Sequence, residues 1–325
     1  MILNKQERNY MKRKKIKYGI IGVGYLGKFH LKHLLKINQA EVSGIYDANI
    51  ETSIQVSKKF KVKRFETLDE LFENVQAVSI VTPTINHMDV ALKALEHNCH
   101  VFIEKPIADN IKNGLNILNA VKKKNYIAHI GHIERFNPAF KAFMAQDTNP
   151  LFLECHRLSK FNERSMDISV VLDLMIHDID LVLNMIESPI KEIMADGINV
   201  ISNSLDLANA KLIFENGCVV NLTASRISNK EMRKIRVFEK QCYSNIDLLN
   251  KELTKYYADY NDRDKKVAFQ HKNIAIKNYD ALNMELTHFC NTILNETDDL
   301  NNITKAVEAL QIAEQINDII TVKLN

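Results

Sequence analysis

Ile16-Lys17-Tyr18-Gly19-Ile20-Ile21-Gly22-Val23-Gly24-Tyr25-Leu26-Gly27 decides the fold. An apolar, β-rich run ends in Gly22, and Leu26 to Ile37 carries the apolar spacing of a helix, so the glycines stand at a strand-to-helix turn. Gly22 suits a tight turn, Gly24 lets the backbone approach a pyrophosphate, and Gly27 lets helix and strand pack closely. Tyr25 and Leu26 fill the variable positions, where the helix start offers N–H groups and its positive dipole end to phosphate oxygens. The turn therefore predicts a dinucleotide site.

Working outward, apolar runs recur at Glu41–Tyr46, Lys61–Phe65, Ala77–Thr82, His100–Ile103 and Tyr126–Ile130, separated by helical stretches. This βαβ rhythm predicts an N-terminal Rossmann domain, a doubly wound parallel sheet with helices on both faces. Asp47 closes the second run at the spacing of a ribose-binding acid. Its carboxylate would accept from both adenosine ribose hydroxyls and repel a 2′-phosphate. No arginine follows closely, so NAD is expected rather than NADP. A simple turn aspartate is the alternative reading.

Past Asn137 the rhythm changes. Leu151–Phe161 is strand-like and Val170–Ile186 is helical. The extended segments Ile190–Ile201, Leu207–Phe214, Cys218–Ser225, Lys234–Phe238 and Tyr243–Leu248 then follow, with a hairpin signal at Asn216-Gly217. Two helices close the chain, at about Asn283–Leu294 and Ile303–Val322. The expected class is thus α/β, with a C-terminal α+β domain built on a large, mostly antiparallel sheet. The expected division is a basic leader over 1–14, the Rossmann domain over 15–131, and a substrate-binding and oligomerisation domain over 132–325. The C-terminal helix is expected to pack back on the Rossmann domain.

Composition limits the partners. A net charge of +3 on 325 residues, 46% apolar and 26% charged, gives no case for nucleic acid or a membrane surface. The run Lys12-Arg13-Lys14-Lys15 reads as a solvated leader. No stretch reaches the roughly 20 apolar residues of a membrane span, and no secretory apolar region opens the chain. Five scattered cysteines without a CxxC pair read as reduced thiols of a cytoplasmic protein. No His or Cys set has metal-ligand spacing, so no metal is expected.

Val101-Phe102-Ile103 delivers Glu104-Lys105-Pro106 to the carboxyl edge of the sheet, where open parallel sheets bind ligands. Asp173 and His177 share a helix face at i,i+4 within a mostly apolar segment, and burying such groups unpaired is costly. Asp178 and Asp180 can pair with His177 as a local network. In the linker, Arg135 and Arg157 have the chemistry to bind phosphate bidentately, and Glu134 and Asn137 to meet sugar hydroxyls; a polar hinge is the alternative.

Together the glycine turn, Thr82-Pro83, Glu104-Lys105-Pro106 and the antiparallel second half resemble the Gfo/Idh/MocA oxidoreductase family over nearly the whole chain from Ile16. That resemblance implies that Lys105, typically before a cis proline, lies between nicotinamide and the substrate carbinol. It implies that Thr82, Pro83, Asn86, His87 and Glu104 line the cofactor, and that His177 of Asp173-x-x-x-His177 contacts the reacting hydroxyl. A positive neighbour disfavours an ammonium ion, so such an amine can relay the hydroxyl proton. Met175 departs from the glycine many members carry two residues after the aspartate.

The linker, Cys155-His156-Arg157-Leu158 and the Asp173/His177 helix resemble one branch, the UDP-N-acetylglucosamine 3-dehydrogenases. The branch implies oxidation at C3 of a sugar nucleotide, followed by a sugar aminotransferase. A free-sugar or inositol dehydrogenase and a non-catalytic dinucleotide sensor are the competing readings. An uncovered sheet face of several hundred Å² predicts a homodimer or homotetramer.

Overall fold

The structure is a computed structural model, described for residues 15–124, 126–161, 168–261, 266–297 and 299–324. The leader over 1–14, with Lys12, Arg13 and Lys14, lies outside the described residues. The chain divides into two compact units. One holds the residues up to His132 with Asp280–Val307, the other Ile133–Tyr279 with Glu308–Asn325.

The first unit is a parallel sheet of β1 (Ile16–Ile21), β2 (Ala40–Tyr46), β3 (Ala77–Ile80), β4 (His100–Glu104) and β5 (Ala128–Gly131), in the order β2-β1-β3-β4-β5. Its helices are α1 (Tyr25–Leu34), α2 (Ile50–Phe60), α3 (Leu68–Phe72), α4 (His87–Glu96) and α5 (Ile111–Lys124). The expected strand at Lys61–Phe65 forms only a bridge between Ile45 and Arg64. Ile45 donates to Lys63 and Phe65 donates to Ile45, and the pairing goes no further. β2 and β3 flank β1, so chain direction across the sheet reverses between β1 and β3, the place where such sheets take ligands.

Alternation along β1 sends Ile16, Tyr18 and Ile20 to one face, where Leu31 and Leu34 of α1 cover them. Leu286, Phe289 and Cys290 of α8 (Ala281–Leu294) join that core. The penultimate helix therefore belongs to the Rossmann unit. The last helix, α9 (Leu300–Leu324), gives its first turns to this unit and the remainder to the second.

The second unit is an eight-stranded sheet in the order β13-β12-β11-β10-β6-β9-β8-β7, antiparallel except where β6 (Phe152–Leu158) pairs with β9 (Val219–Ser225). The other strands are β7 (Ile190–Ile198), β8 (Leu207–Phe214), β10 (Met232–Glu239), β11 (Cys242–Asp247), β12 (Glu252–Asn261) and β13 (Lys266–Asn273). Asn216-Gly217 makes the expected hairpin: Gly217 has φ +87 and Phe214 donates to Cys218 at 2.9 Å. The β12–β13 hairpin lies beyond the strands read from sequence. Leu153, Cys155, Leu212, Leu222 and Val237 face inward, against Ile179 and Val182 of α7 (Ile176–Met185) and Ile316 and Ile320 of α9. A short helix, α6 (Pro138–Met144), precedes β6; Asn137 caps it by accepting from Ala139.

Candidate active site

Each glycine of the turn has its own physical reason. Gly22 sits at φ +84, and a Cβ there would press on the Val81 carbonyl. A Cβ on Gly27 would collide with the Gly22 carbonyl oxygen, so helix and strand meet only through glycine. At Gly24 nothing lies within 4 Å of an added Cβ, which leaves room for a pyrophosphate to approach the backbone. No side chain caps α1 at Gly24, so its first N–H groups keep their hydrogen-bonding capacity for an anion. Tyr25 and Leu26 are exposed beside them.

Asp47 directly follows β2, and its oxygens hold the backbone. Oδ2 accepts from Val23 N–H at 2.7 Å and Oδ1 from Asn49 N–H at 2.8 Å. A carboxylate has about four acceptor positions. Fixing the glycine turn thus leaves lone pairs for ribose hydroxyls. These residues fit a dinucleotide: an open turn, an uncapped helix and a placed acid.

The neighbouring strands bring further groups to the same edge. Thr82 is the second residue past β3, and its buried Oγ1 has no hydrogen-bond partner among the described residues. Pro83 and Asn86 are exposed beyond it. His87 is buried, and its ring bridges two carbonyls, Nε2 to Thr82 and Nδ1 to Pro106, each at 3.0 Å. Burial disfavours the charged ring and lowers its pKa, against the pull of those carbonyls. This histidine ties the Thr82 loop to the Lys105-Pro106 segment. Glu104 ends β4, Lys105 is half-buried next to it, and Lys105-Pro106 is cis.

Behind Glu104 lies a residue that sequence reasoning missed. His30 of α1, buried, holds Glu104 Oε1 at 2.8 Å through Nε2. Its Nδ1 meets Ser79 Oγ at 3.2 Å, and Ser79 meets the Tyr18 hydroxyl at 3.0 Å. Burial by itself would raise the Glu104 pKa. The His30 hydrogen bond and charge, with Lys105, reverse that and hold the carboxyl below its ordinary range. His30 stands three residues after Gly27, on the helix that the glycines open. That spacing was the available signal.

In the second unit the linker residues are brought together, but not as open ligands. Arg157 places Nε 3.0 Å and Nη2 2.7 Å from Asp178 carboxylate oxygens, and Nη1 3.0 Å from Glu134 Oε1. Asn137 donates to Glu134 at 3.0 Å and to the Leu248 carbonyl at 2.9 Å. Arg135 grips Asp180 through Nε at 2.7 Å and through Nη2. All six of these side chains are buried. Burial raises the Asp178 pKa despite Arg157. Burial alone would lower the pKa of Arg157, but Asp178 and Glu134 outweigh it and raise the value.

The guanidinia that the sequence offers as phosphate ligands, Arg135 and Arg157, are held here by internal carboxylates. Asp178 and Asp180 each pair with an arginine. Arg233, half-exposed on β10 opposite Arg157, faces Glu134 at 3.5 Å and is the more open cation nearby.

Asp173 and His177 are both half-buried. The expected single α-helix is interrupted, since Val171–Met175 is a π-helical turn that passes into α7 at Ile176. Asp173 therefore belongs to the π turn and His177 to the α-helix. Such turns recur at functional sites because they redirect side chains within a helix.

Residues 16–132 match the model of the Gfo/Idh/MocA oxidoreductase family with its NAD-binding Rossmann fold, and 128–241 match that of the family's C-terminal domain. The chain is 34% identical over 276 residues to the UDP-N-acetylglucosamine 3-dehydrogenase of Acidithiobacillus ferrooxidans, covering 85% of this chain and 88% of that one. A solved structure of an enzyme of that name and organism superposes with a TM-score of 0.89 at 31% identity, over 96% of this chain and 99% of that one. The myo-inositol 2-dehydrogenase of Thermotoga maritima is 26% identical over 65% of this chain and 69% of its own. The glycine turn, the acid after β2 and the lysine after β4 are thus read in a chain that belongs to the Gfo/Idh/MocA family of oxidoreductases.

Proposed function

We propose that the chain oxidises the C3 hydroxyl of UDP-N-acetylglucosamine to a 3-keto sugar nucleotide, with NAD as the hydride acceptor. The observation that carries this reading is the 34% identity, spread over most of both chains, to an enzyme of that name. Lys105, on the same sheet edge as the glycine turn, takes the hydroxyl proton as the C3–H bond breaks. His177 orients that hydroxyl, and Asp173 balances the local charge. Bound NAD⁺ supplies the hydride acceptor. Asp47 favours NAD over NADP, since its carboxylate would meet a 2′-phosphate with like charge. The product suits a sugar aminotransferase that installs a 3-amino group for lipid A or another surface glycan.

The assembly proposed is a homodimer or homotetramer through the outer face of the eight-stranded sheet. Across that sheet Phe152, Phe238, Tyr243 and Tyr256 form a continuous aromatic row; the two tyrosine rings stack at 4.3 Å.

Incubation with NAD⁺ and UDP-N-acetylglucosamine should raise NADH absorbance, most clearly when an aminotransferase removes product. Turnover of a free polyol without turnover of the sugar nucleotide would overturn the substrate while sparing the family. Lys105→Ala should abolish hydride transfer and keep NAD affinity; unchanged turnover would remove the lysine from its role.

A further inference from the structure

We propose that His129, His288 and Asp299 form a site for a transition-metal dication of zinc type within the Rossmann unit. No ligand spacing is visible in sequence, because the fold draws the three from β5, α8 and the residue just before α9. One nitrogen of each imidazole and one oxygen of Asp299 lie within 4.8 Å of one another. Zinc bonds of about 2.0–2.2 Å require separations of roughly 3.3–3.5 Å in a tetrahedral site. Ligation by both His129 Nδ1 and Asp299 Oδ2 widens their 2.7 Å hydrogen bond to that separation, and rotation of His288, exposed on α8, brings its imidazole in.

The surroundings of His129 argue for a ligand as well as a fold contact. His129 is buried, and its Nδ1 faces Asp299 Oδ2 at 2.7 Å. Its other nitrogen, Nε2, faces Glu285 Oε1 at 3.3 Å, in the interior. A metal-bound histidine commonly donates its remaining N–H to a carboxylate in this way, which fixes the ring and its tautomer. The ring plane is also set, by stacking on Phe102 at 5.2 Å. Asn302 stands 3.4 Å from Nε2 while accepting from Ile130 N–H at 2.7 Å.

Charge points the same way. Glu285 and Asp299 bring two carboxylates to one imidazole, and Glu285 Oε2 is buried without a hydrogen-bond partner among the described residues. An imidazolium alone leaves that group net negative, whereas a dication with two neutral imidazoles balances it. Two imidazoles and one carboxylate suit zinc better than magnesium or calcium, with a fourth position left for water. Asp299 is only partly covered and His288 is exposed, so the ion has a path in. The bound metal would clamp β5, α8 and α9 together.

The test uses the full chain, stripped with chelator and dialysed against zinc, with bound metal measured by plasma mass spectrometry. Wild type should retain about one equivalent, and its melting temperature should rise with zinc. His288→Ala and Asp299→Asn change accessible positions; each should weaken binding tenfold or more, abolish that rise, and keep NAD affinity. His271→Ala, exposed on β13, should bind as wild type does. Absence of bound zinc in wild type, or equal zinc affinity in wild type and His288→Ala, would overturn the site and leave an ion-pair network.

Discussion

The glycine edge of the first unit and the arginine cluster of the second unit resemble ligand sites equally well in sequence, yet they treat polar groups oppositely. At the glycine edge capacity is left open: α1 has no side-chain cap, Gly24 faces space, and Thr82 Oγ1 has no partner among the described residues. In the cluster capacity is saturated: Arg157 meets Asp178 and Glu134, and Arg135 meets Asp180, all buried. A binding surface must keep donors for its ligand, whereas a scaffold must satisfy them internally or lose stability. By that criterion the first region binds, and the second braces the segment that carries Asp173 and His177.

The largest test of this contrast is at Gly27. Gly27→Val drives side-chain atoms into the Gly22 carbonyl, so NAD binding should vanish in a calorimetric titration and the unit should melt early. Gly24→Ala should weaken NAD but leave the melting temperature in place, because the added methyl fills ligand space only. Unchanged NAD affinity in Gly24→Ala would mean that the pyrophosphate lies elsewhere.

Arg157→Ala should act in the reverse sense. Stripping Asp178 of its buried partner should cost about 3–5 kcal/mol in urea unfolding, with NAD affinity intact. The double change Arg157→Met with Asp178→Leu should recover much of that loss, since a buried ion pair is often replaceable by apolar side chains. A large rise in KM for the sugar nucleotide with full stability would instead make Arg157 a ligand.

How far the sequence could be read follows from the same contrast. The glycine turn, Asp47 and the Asn216-Gly217 hairpin were legible because backbone geometry dictates those residue types. The β12–β13 hairpin was not: among the described residues of β12 only Leu253 joins the buried core, so alternation there is weak. Residue type could not separate Arg157 the ligand from Arg157 the brace, for an arginine suits both and burial decides. Hydrogen-bond register is absent from composition, so the π turn at Val171–Met175 was invisible. His30 and Glu104 lie 74 residues apart, and their contact follows only once α1 is laid against β4. The same holds for His129, His288 and Asp299.

The smallest expected effect lies at His30, where the open edge is itself braced from behind. His30→Ala should lower kcat by about tenfold to a hundredfold through a loosened Glu104-Lys105 segment, with the NAD dissociation constant little changed. Its pH signature separates positioning from bulk packing. In wild type the folded-state pKa of Glu104 is depressed, so Glu104 adds stability above its unfolded pKa, and this is lost as pH falls through the folded value. Without His30, burial acts on Glu104 with less opposition and the folded pKa climbs, so that contribution shrinks or changes sign. The melting-temperature gap between wild type and His30→Ala should therefore widen from about pH 4 to about pH 7. A gap constant across that window would mean that the variant lost packing alone, and Glu104 would then owe its charge to Lys105 rather than to His30.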